Sequence, residues 1–220
     1  MKLFAVNLLV LSCVFAQVAE NANKSYKTSE GRAAVARTLI APDRDARQKP
    51  VELVQAMALK PGMVVADIGT GAGYMLPFLS KAVGLSGRVV AEDIQDDFLV
   101  QAKAKAEKDG LNNIIFVKGS ETDPNLTENS IDVALALDSY HHYDYPAKML
   151  AGIRKGLKPG GRLVVVEFHK SPTAMPNGRA MEHIRLGAPD VIKEIEANGF
   201  KLLSQREHIE GSQYIITFTR

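Results

Sequence analysis

The chain has 220 residues, 27 Lys and Arg against 25 Asp and Glu, a formal net charge of +2, and 46% hydrophobic and 24% charged residues. That composition is globular and not disordered. The near-balance of charge excludes a general nucleic-acid binder, which needs many uncompensated cations to displace counterions from phosphates.

Cys13, the single cysteine, lies in an apolar run from Leu3 to Ala16, after Met1 and Lys2 and before Gln17, Val18, Ala19 and Glu20. A short positive start, an apolar stretch and small residues at a cleavable boundary have the layout of a secretory signal peptide, and the run is too short to span a bilayer. Residues 1–16 are read as that signal peptide, cleaved before Gln17 or as late as after Ala19. The mature protein is then periplasmic or secreted, has no cysteine, keeps no transmembrane segment, and carries 26 basic against 25 acidic residues. Two readings stay open beside it: lipoprotein processing before Cys13, for which Val10-Leu11-Ser12-Cys13 is a poor lipobox, and an apolar helix retained on a cytoplasmic protein.

Residues 17–49 form an N-terminal leader and helix: a loose polar leader from Asn21 to Thr28, a helix from Ser29 to Ile40, and a loop from Ala41 to Lys49. Residues 50–220 form the main domain. It opens with a helix, Pro50 to Ala58, and then alternates. Met63 to Ile68 is a short apolar run between Pro61-Gly62 and a glycine cluster, which reads as a strand buried on both faces. A helix from Gly73 to Val83, a strand from Arg88 to Asp93 and a helix from Asp96 to a stop at Gly110 follow. Further strands are read at Ile114–Val117, Ile131–Leu137 and Arg162–Phe168, the last after a helix from about Tyr145 to Leu157. The end is a helix from Ala188 to Asn198 and two strands, Phe200–His208 and Gln213–Thr219, joined by Glu210-Gly211-Ser212. The pattern predicts an α/β fold: a seven-stranded, mostly parallel, doubly wound sheet with a C-terminal antiparallel hairpin. Such sheets bind ligands beyond the carboxyl ends of their strands, where strand order reverses.

The first strand ends in Asp67-Ile68-Gly69-Thr70-Gly71-Ala72-Gly73-Tyr74. Alternate glycines let the backbone turn sharply and approach a ligand closely. A nicotinamide loop wants its third glycine where Tyr74 stands, which disfavours an oxidoreductase. The second strand ends in Glu92-Asp93, where Asp93 can accept hydrogen bonds from both hydroxyls of a ribose. Glu92 should point to the other side of the strand.

These two blocks, with Leu157-Lys158-Pro159-Gly160-Gly161-Arg162-Leu163, resemble the class I S-adenosylmethionine (SAM)-dependent methyltransferases over about Pro50 to the C-terminus. The chain is most similar to small predicted bacterial methyltransferases with Arg-x-x-Gln-Lys-Pro ahead of the first strand (here Arg44, Gln48, Lys49 and Pro50 in a shifted frame) and Tyr-His-His after the fourth. The resemblance implies S-adenosyl-L-methionine as cofactor. Its methionyl part would lie on Asp67, Gly69, Gly71 and Gly73, its ribose on Asp93, and its adenine near Ser120 and Glu121, where the family commonly has Gly-Asp. The loop after the fourth strand, from Asp138-Ser139-Tyr140-His141-His142 to Tyr145, is where the class places the methyl group and acceptor.

Asp138 is expected at the methionyl end, and Tyr140, His141 and His142 are the catalytic candidates. Aromatic faces can favour a sulfonium, and a histidine can take the acceptor's proton. Asp138, Glu167 and His169 have donors for an oxygen and nitrogen metal site, but the Asp-Asn pair of magnesium-dependent catechol methyltransferases is absent, and no metal is expected. His183 and Arg185 lie where an insert often covers the acceptor. The expected activity is methyl transfer from SAM to a small-molecule acceptor, with no nucleic-acid partner. The alternative is a non-catalytic binding protein on the same scaffold, prompted by the conflict between an export signal and a cofactor made in the cytosol.

Overall fold

The computed structural model describes residues 18–220; Cys13 and the signal-peptide reading of residues 1–16 lie outside them. Strands β1 (Val64–Ile68), β2 (Arg88–Asp93), β3 (Ile114–Lys118), β4 (Ile131–Leu137), β5 (Leu157–Phe168), β6 (Lys201–Ile209) and β7 (Gln213–Thr219) form one sheet in the order β3-β2-β1-β4-β5-β7-β6. The first five run parallel, β7 is antiparallel to β5, and β6 is antiparallel to β7. This is the expected Rossmann-like sheet. The hairpin enters it by its second strand, which leaves β6 as the edge, largely exposed and carrying Lys201, Arg206 and Glu207; charge on an edge discourages pairing with another chain.

Helices α1 (Glu20–Asn23), α2 (Ser29–Leu39), α3 (Arg44–Gln48), α4 (Pro50–Met57), α5 (Leu76–Val83), α6 (Asp96–Lys108), α7 (Pro146–Gly156), α8 (Ala180–His183) and α9 (Ala188–Ala197) complete the chain order. Strands covered on both faces read as near-continuous apolar runs, and neighbouring residues of β1 and β4 divide between two cores. Val65 and Val133 pack with Leu53, Leu79 and Ala102 of α4, α5 and α6. Ala66 and Ala134 pack with Leu150, Ile153 and Ile195 of α7 and α9. Proline stands in the first turn of α4, α5, α7 and α9, where its missing N–H has no intrahelical partner to lose.

Three stretches differ from expectation. β5 begins at Leu157 and not at Arg162, taking in Lys158-Pro159-Gly160-Gly161 with a shift of register opposite Ile131 and Val133. The loop read at 41–49 contains α3, and Lys49 turns between α3 and α4 in the left-handed region at φ +44°. The leader read as loose is α1 followed by a 3-10 turn, Lys24–Lys27. Its anchors are single side chains and not an apolar stripe: Arg32 of α2 donates to the Tyr26 carbonyl at 3.0 Å and to Asp97 of α6 at 2.7 Å. No helix among the described residues is long and apolar enough to cross a membrane.

Candidate active site

Strand order reverses between β1 and β4, and a cavity of about 960 Å³, counting its open mouth, lies at their carboxyl ends. The glycine turn forms one side. Gly69 has φ +75°, and a Cβ there would stand 2.8 Å from the Cβ of Ser139, so the close approach of the loops after β1 and β4 depends on glycine. The Thr70 hydroxyl donates to Asp67 at 2.7 Å; burial nevertheless lifts the Asp67 carboxyl to about 6.

Asp93 ties the loops together. Its Oδ2 accepts the Gly71 N–H and its Oδ1 the Gln95 N–H, both at 2.8 Å. Burial outweighs these bonds and raises the carboxyl to about 6. Each carboxylate oxygen accepts about two hydrogen bonds, so Asp93 keeps acceptor capacity toward the cavity it lines. Glu92 is fully buried and also borders the cavity; it accepts the Gly69 N–H at 3.2 Å. Burial, with Asp93 beside it, pushes the Glu92 carboxyl well up, which favours its protonated form and suits it to bracing the turn more than to serving as an anion.

Asp138 takes a left-handed backbone, φ +51°, uncommon outside glycine and asparagine. Burial and the nearby Glu167 raise its carboxyl to about 7, against the pull of Arg44, His141 and Gln213. The Arg-x-x-Gln feature surrounds it. Arg44 is 4.0 Å from Asp138 and lies over the Tyr74 ring at 3.9 Å, while Gln48 donates to Gln213, which donates to Asp138 at 2.7 Å. Neither the role of Arg44 nor that of Gln213 is readable from sequence spacing.

The N-terminal segment roofs the cavity. Leu39 lies over Gly71, and Tyr26 packs edge-on against His142 at 4.7 Å and Phe98 at 5.9 Å between ring centres. Asn23 donates to the His142 carbonyl and to Asp144, both at 3.0 Å. Each edge-on aromatic pair is worth about 0.5–1.5 kcal/mol. Tyr26→Ala is therefore expected to weaken S-adenosylhomocysteine (SAH) binding by about three- to tenfold, measured by calorimetry, with the fold retained.

Of the expected cofactor residues, Asp67, Gly69, Asp93, Ser120, Glu121 and Asp138 line the cavity. Gly71 and Gly73 stand behind the wall: Gly71 gives its N–H to Asp93, and Gly73 packs against Ala102 of α6. The Ser120 hydroxyl is engaged within its own turn, accepting the Asp123 N–H at 3.0 Å. His142 alone of the three catalytic candidates borders the cavity. Burial, then His141 and His183, keep its pKa well below the ordinary value, so the ring is neutral. His141 lies behind it on Glu167, and Tyr140 points elsewhere, donating to Glu194 of α9 at 2.6 Å. The Asp138, Glu167 and His169 set is not assembled, because His169 pairs with Glu207 on the hairpin at 3.0 Å.

A glycine turn and a carboxylate-tipped β2 meeting at the switch point of this sheet are the features of a Rossmann-like methyltransferase fold. Comparison with known proteins agrees. Residues 66–165 match the family described as a methyltransferase domain. A solved SAM-dependent methyltransferase from Aquifex aeolicus is 27% identical, with a TM-score of 0.77 over 84% of this chain and 97% of that one. The ubiquinone/menaquinone biosynthesis C-methyltransferase UbiE of Shewanella frigidimarina is 30% identical over 52% of this chain and 46% of its own. An uncharacterized 37.1 kDa protein in transposon TN4556 of Streptomyces fradiae is 35% identical over 56% of this chain and 35% of its own. The chain thus spans about half or less of these two curated relatives. The [4+2]-cyclase SpnF shares the fold at 18% identity, with a TM-score of 0.65 over 79% of this chain and 80% of that one.

The implied cofactor, SAM, fits the residues present. Leu39, Met75, Ile94, Phe98 and Leu137 give apolar walls for a purine, and Asp67, Asp93 and Asp138 face the cavity with Arg44 as the cation among them.

Proposed function

We propose that the protein transfers the methyl group of SAM to a small-molecule acceptor by direct SN2 displacement. One observation carries the reading: the glycine turn, Asp93 and Asp138 converge on a single cavity under the N-terminal roof. When bound, SAM supplies an electrophilic methyl carbon on a positively charged sulfur.

The chain's part is to bind and aim. Asp93 accepts from the ribose hydroxyls, Ser120 and Glu121 border the adenine, Asp67 and Gly69 receive the methionyl group, and Asp138, fixed by Arg44 and Gln213, faces its charged end. Leu39 and Tyr26 exclude water. Holding two reactants in line is worth about 7–11 kcal/mol of a barrier, so no nucleophilic triad is needed. The neutral His142 ring accepts the acceptor's proton, and His141, held by Glu167, is a positioning residue behind it. A cavity roofed by the N-terminal segment and a balanced charge favour a small acceptor over a polymer.

Because the same fold also supports a cyclase, transfer must be measured. Methyl-labelled SAM, the protein and the small-molecule fraction of a cell extract are expected to give a labelled small product, lost with Asp93→Ala. Binding of SAM with no label passed to any fraction would sink the proposal and restore the non-catalytic alternative.

Export is part of the same proposal. Cleavage after Ala16 retains the docked residues, since the Ala19 N–H bonds Asp144 at 3.0 Å and the Val18 N–H reaches the Asp144 carbonyl at 3.3 Å. Cleavage after Ala19 removes both. Cell fractionation with N-terminal sequencing checks this, and intact protein confined to the cytoplasm would contradict it.

A further inference from the structure

Three histidines from two distant segments meet beside the cavity. His141 and His142 belong to the 3-10 turn after β4, His183 ends α8, and one ring nitrogen of each lies within 4.8 Å of the others. Ring centres are 4.1 Å apart for His141 and His142, 4.9 Å for His141 and His183, and 5.4 Å for His142 and His183.

Hydrogen bonds outside the triangle fix the nitrogen that two of the rings offer. Glu167, buried on β5, meets the His141 N–H through Oε1 at 3.1 Å and His141 Nδ1 through Oε2 at 2.7 Å. A carboxylate accepts, so Nδ1 carries a proton, and Nε2 is the nitrogen the ring turns toward the triangle, with a lone pair to offer a cation that displaces any proton on it. Asn23 acts likewise on His142. Its Nδ2 donates to the His142 carbonyl and Asp144, so its Oδ1 accepts from His142 Nδ1 at 2.8 Å and leaves Nε2 unprotonated. The Nε2 atoms of His141 and His183 then face each other at 3.2 Å. Two lone pairs at that distance repel unless a proton or a cation lies between them. Two imidazole nitrogens bound to one tetrahedral zinc at about 2.0–2.1 Å stand about 3.3 Å apart.

We propose that His141, His142 and His183 bind one divalent transition-metal ion of the zinc class, with Glu167 and Asn23 as the outer partners that orient two of the rings. Three neutral imidazoles suit zinc, cobalt or nickel, whereas magnesium and calcium want oxygen donors. Carboxylate and amide partners on the far ring nitrogen are the usual support of such ligands. His183 also borders a second cleft with Ala19, Ala22, Lys170 and Met181, which gives an ion a path in. With an ion bound, the His142 lone pair is a ligand and not a proton acceptor. The site does not depend on the methyl-transfer reading, and of that reading it replaces only the proton-accepting role of His142.

Cobalt(II) titration of the purified, chelator-treated protein tests the site. The expected result is a saturable visible absorption band at one ion per chain, displaced by zinc. His183→Ala is expected to weaken cobalt binding at least a hundredfold, Glu167→Gln by ten- to a hundredfold, and His169→Ala not at all. His183→Gln gives the same readout if the alanine variant does not fold, and circular dichroism reports folding of each. No saturable cobalt or zinc binding by the unaltered protein, or equal binding by the His183 variant, overturns the site and leaves three rings sharing a proton. SAH binding, measured separately, then still decides the cofactor cavity.

Discussion

Asp93→Ala is expected to weaken binding of SAM and SAH by ten- to a hundredfold. The carboxylate has two tasks that alanine cannot perform. It accepts the N–H groups of Gly71 and Gln95, at 2.8 Å each, and so sets the spacing of the loops after β1 and β2. It also keeps acceptor capacity for the ribose hydroxyls. A hydrogen bond to a charged group contributes about 1.5–3 kcal/mol, and 1.4 kcal/mol is tenfold in affinity. Glu92 supplies the contrast. Its carboxyl is pushed well above the usual range by burial and by Asp93, so Glu92→Gln, which mimics the protonated acid, is expected to leave affinity within about threefold. Calorimetry with SAH measures both variants. Equal losses from both would remove Asp93 from its special place.

Affinity for SAM is expected to rise with pH between 5 and 7.5, by tenfold or more. Asp67 and Asp93 are raised to about 6 and Asp138 to about 7, chiefly by burial, against about 3.9 in an unfolded chain. The sign follows from the direction. A carboxyl with a raised folded pKa stabilises the folded state below the unfolded value, and that contribution is lost as pH rises through the folded value. Near neutrality the unliganded protein therefore holds these groups ionised at a cost. A sulfonium and hydroxyl donors favour the ionised forms, so binding strengthens over the same interval in which the empty protein loses stability from these groups. SAH lacks the sulfonium charge and should show the shallower slope, as should Asp93→Asn with SAM. A flat SAM profile from pH 5 to 7.5 would contradict the electrostatic part of the account.

The strands and the cofactor loop were legible in the sequence because burial on two faces leaves few residue choices. β1 and β4 are apolar apart from Asp67 and Asp132, and the glycine turn follows β1 at once. The roof was not legible. Tyr26 and Asn23 are isolated in a polar stretch, and what fixes them is a hydrogen bond or a ring contact to residues more than 70 positions away. α3 has five residues and no apolar stripe, so its turn read as loop. Arg44 and Gln48 stood out only through a family feature, and their purpose, to surround Asp138, needed Gln213 from the far end of the chain. The histidine triangle was hidden for the same reason, since His183 lies on a four-residue helix 42 positions from its nearest-bonded partner. Tyr140 shows the reverse: its place in Tyr-His-His promised chemistry, but the 3-10 turn there aims its hydroxyl at Glu194 of α9 and leaves only His142 of the three at the cavity.

Titration of SAH into the unaltered protein by calorimetry tests the central claim most directly. The account predicts saturable one-to-one binding that SAM displaces and NAD does not, because a nicotinamide loop wants its third glycine where Tyr74 stands. Absence of SAH and SAM binding by folded protein would contradict it.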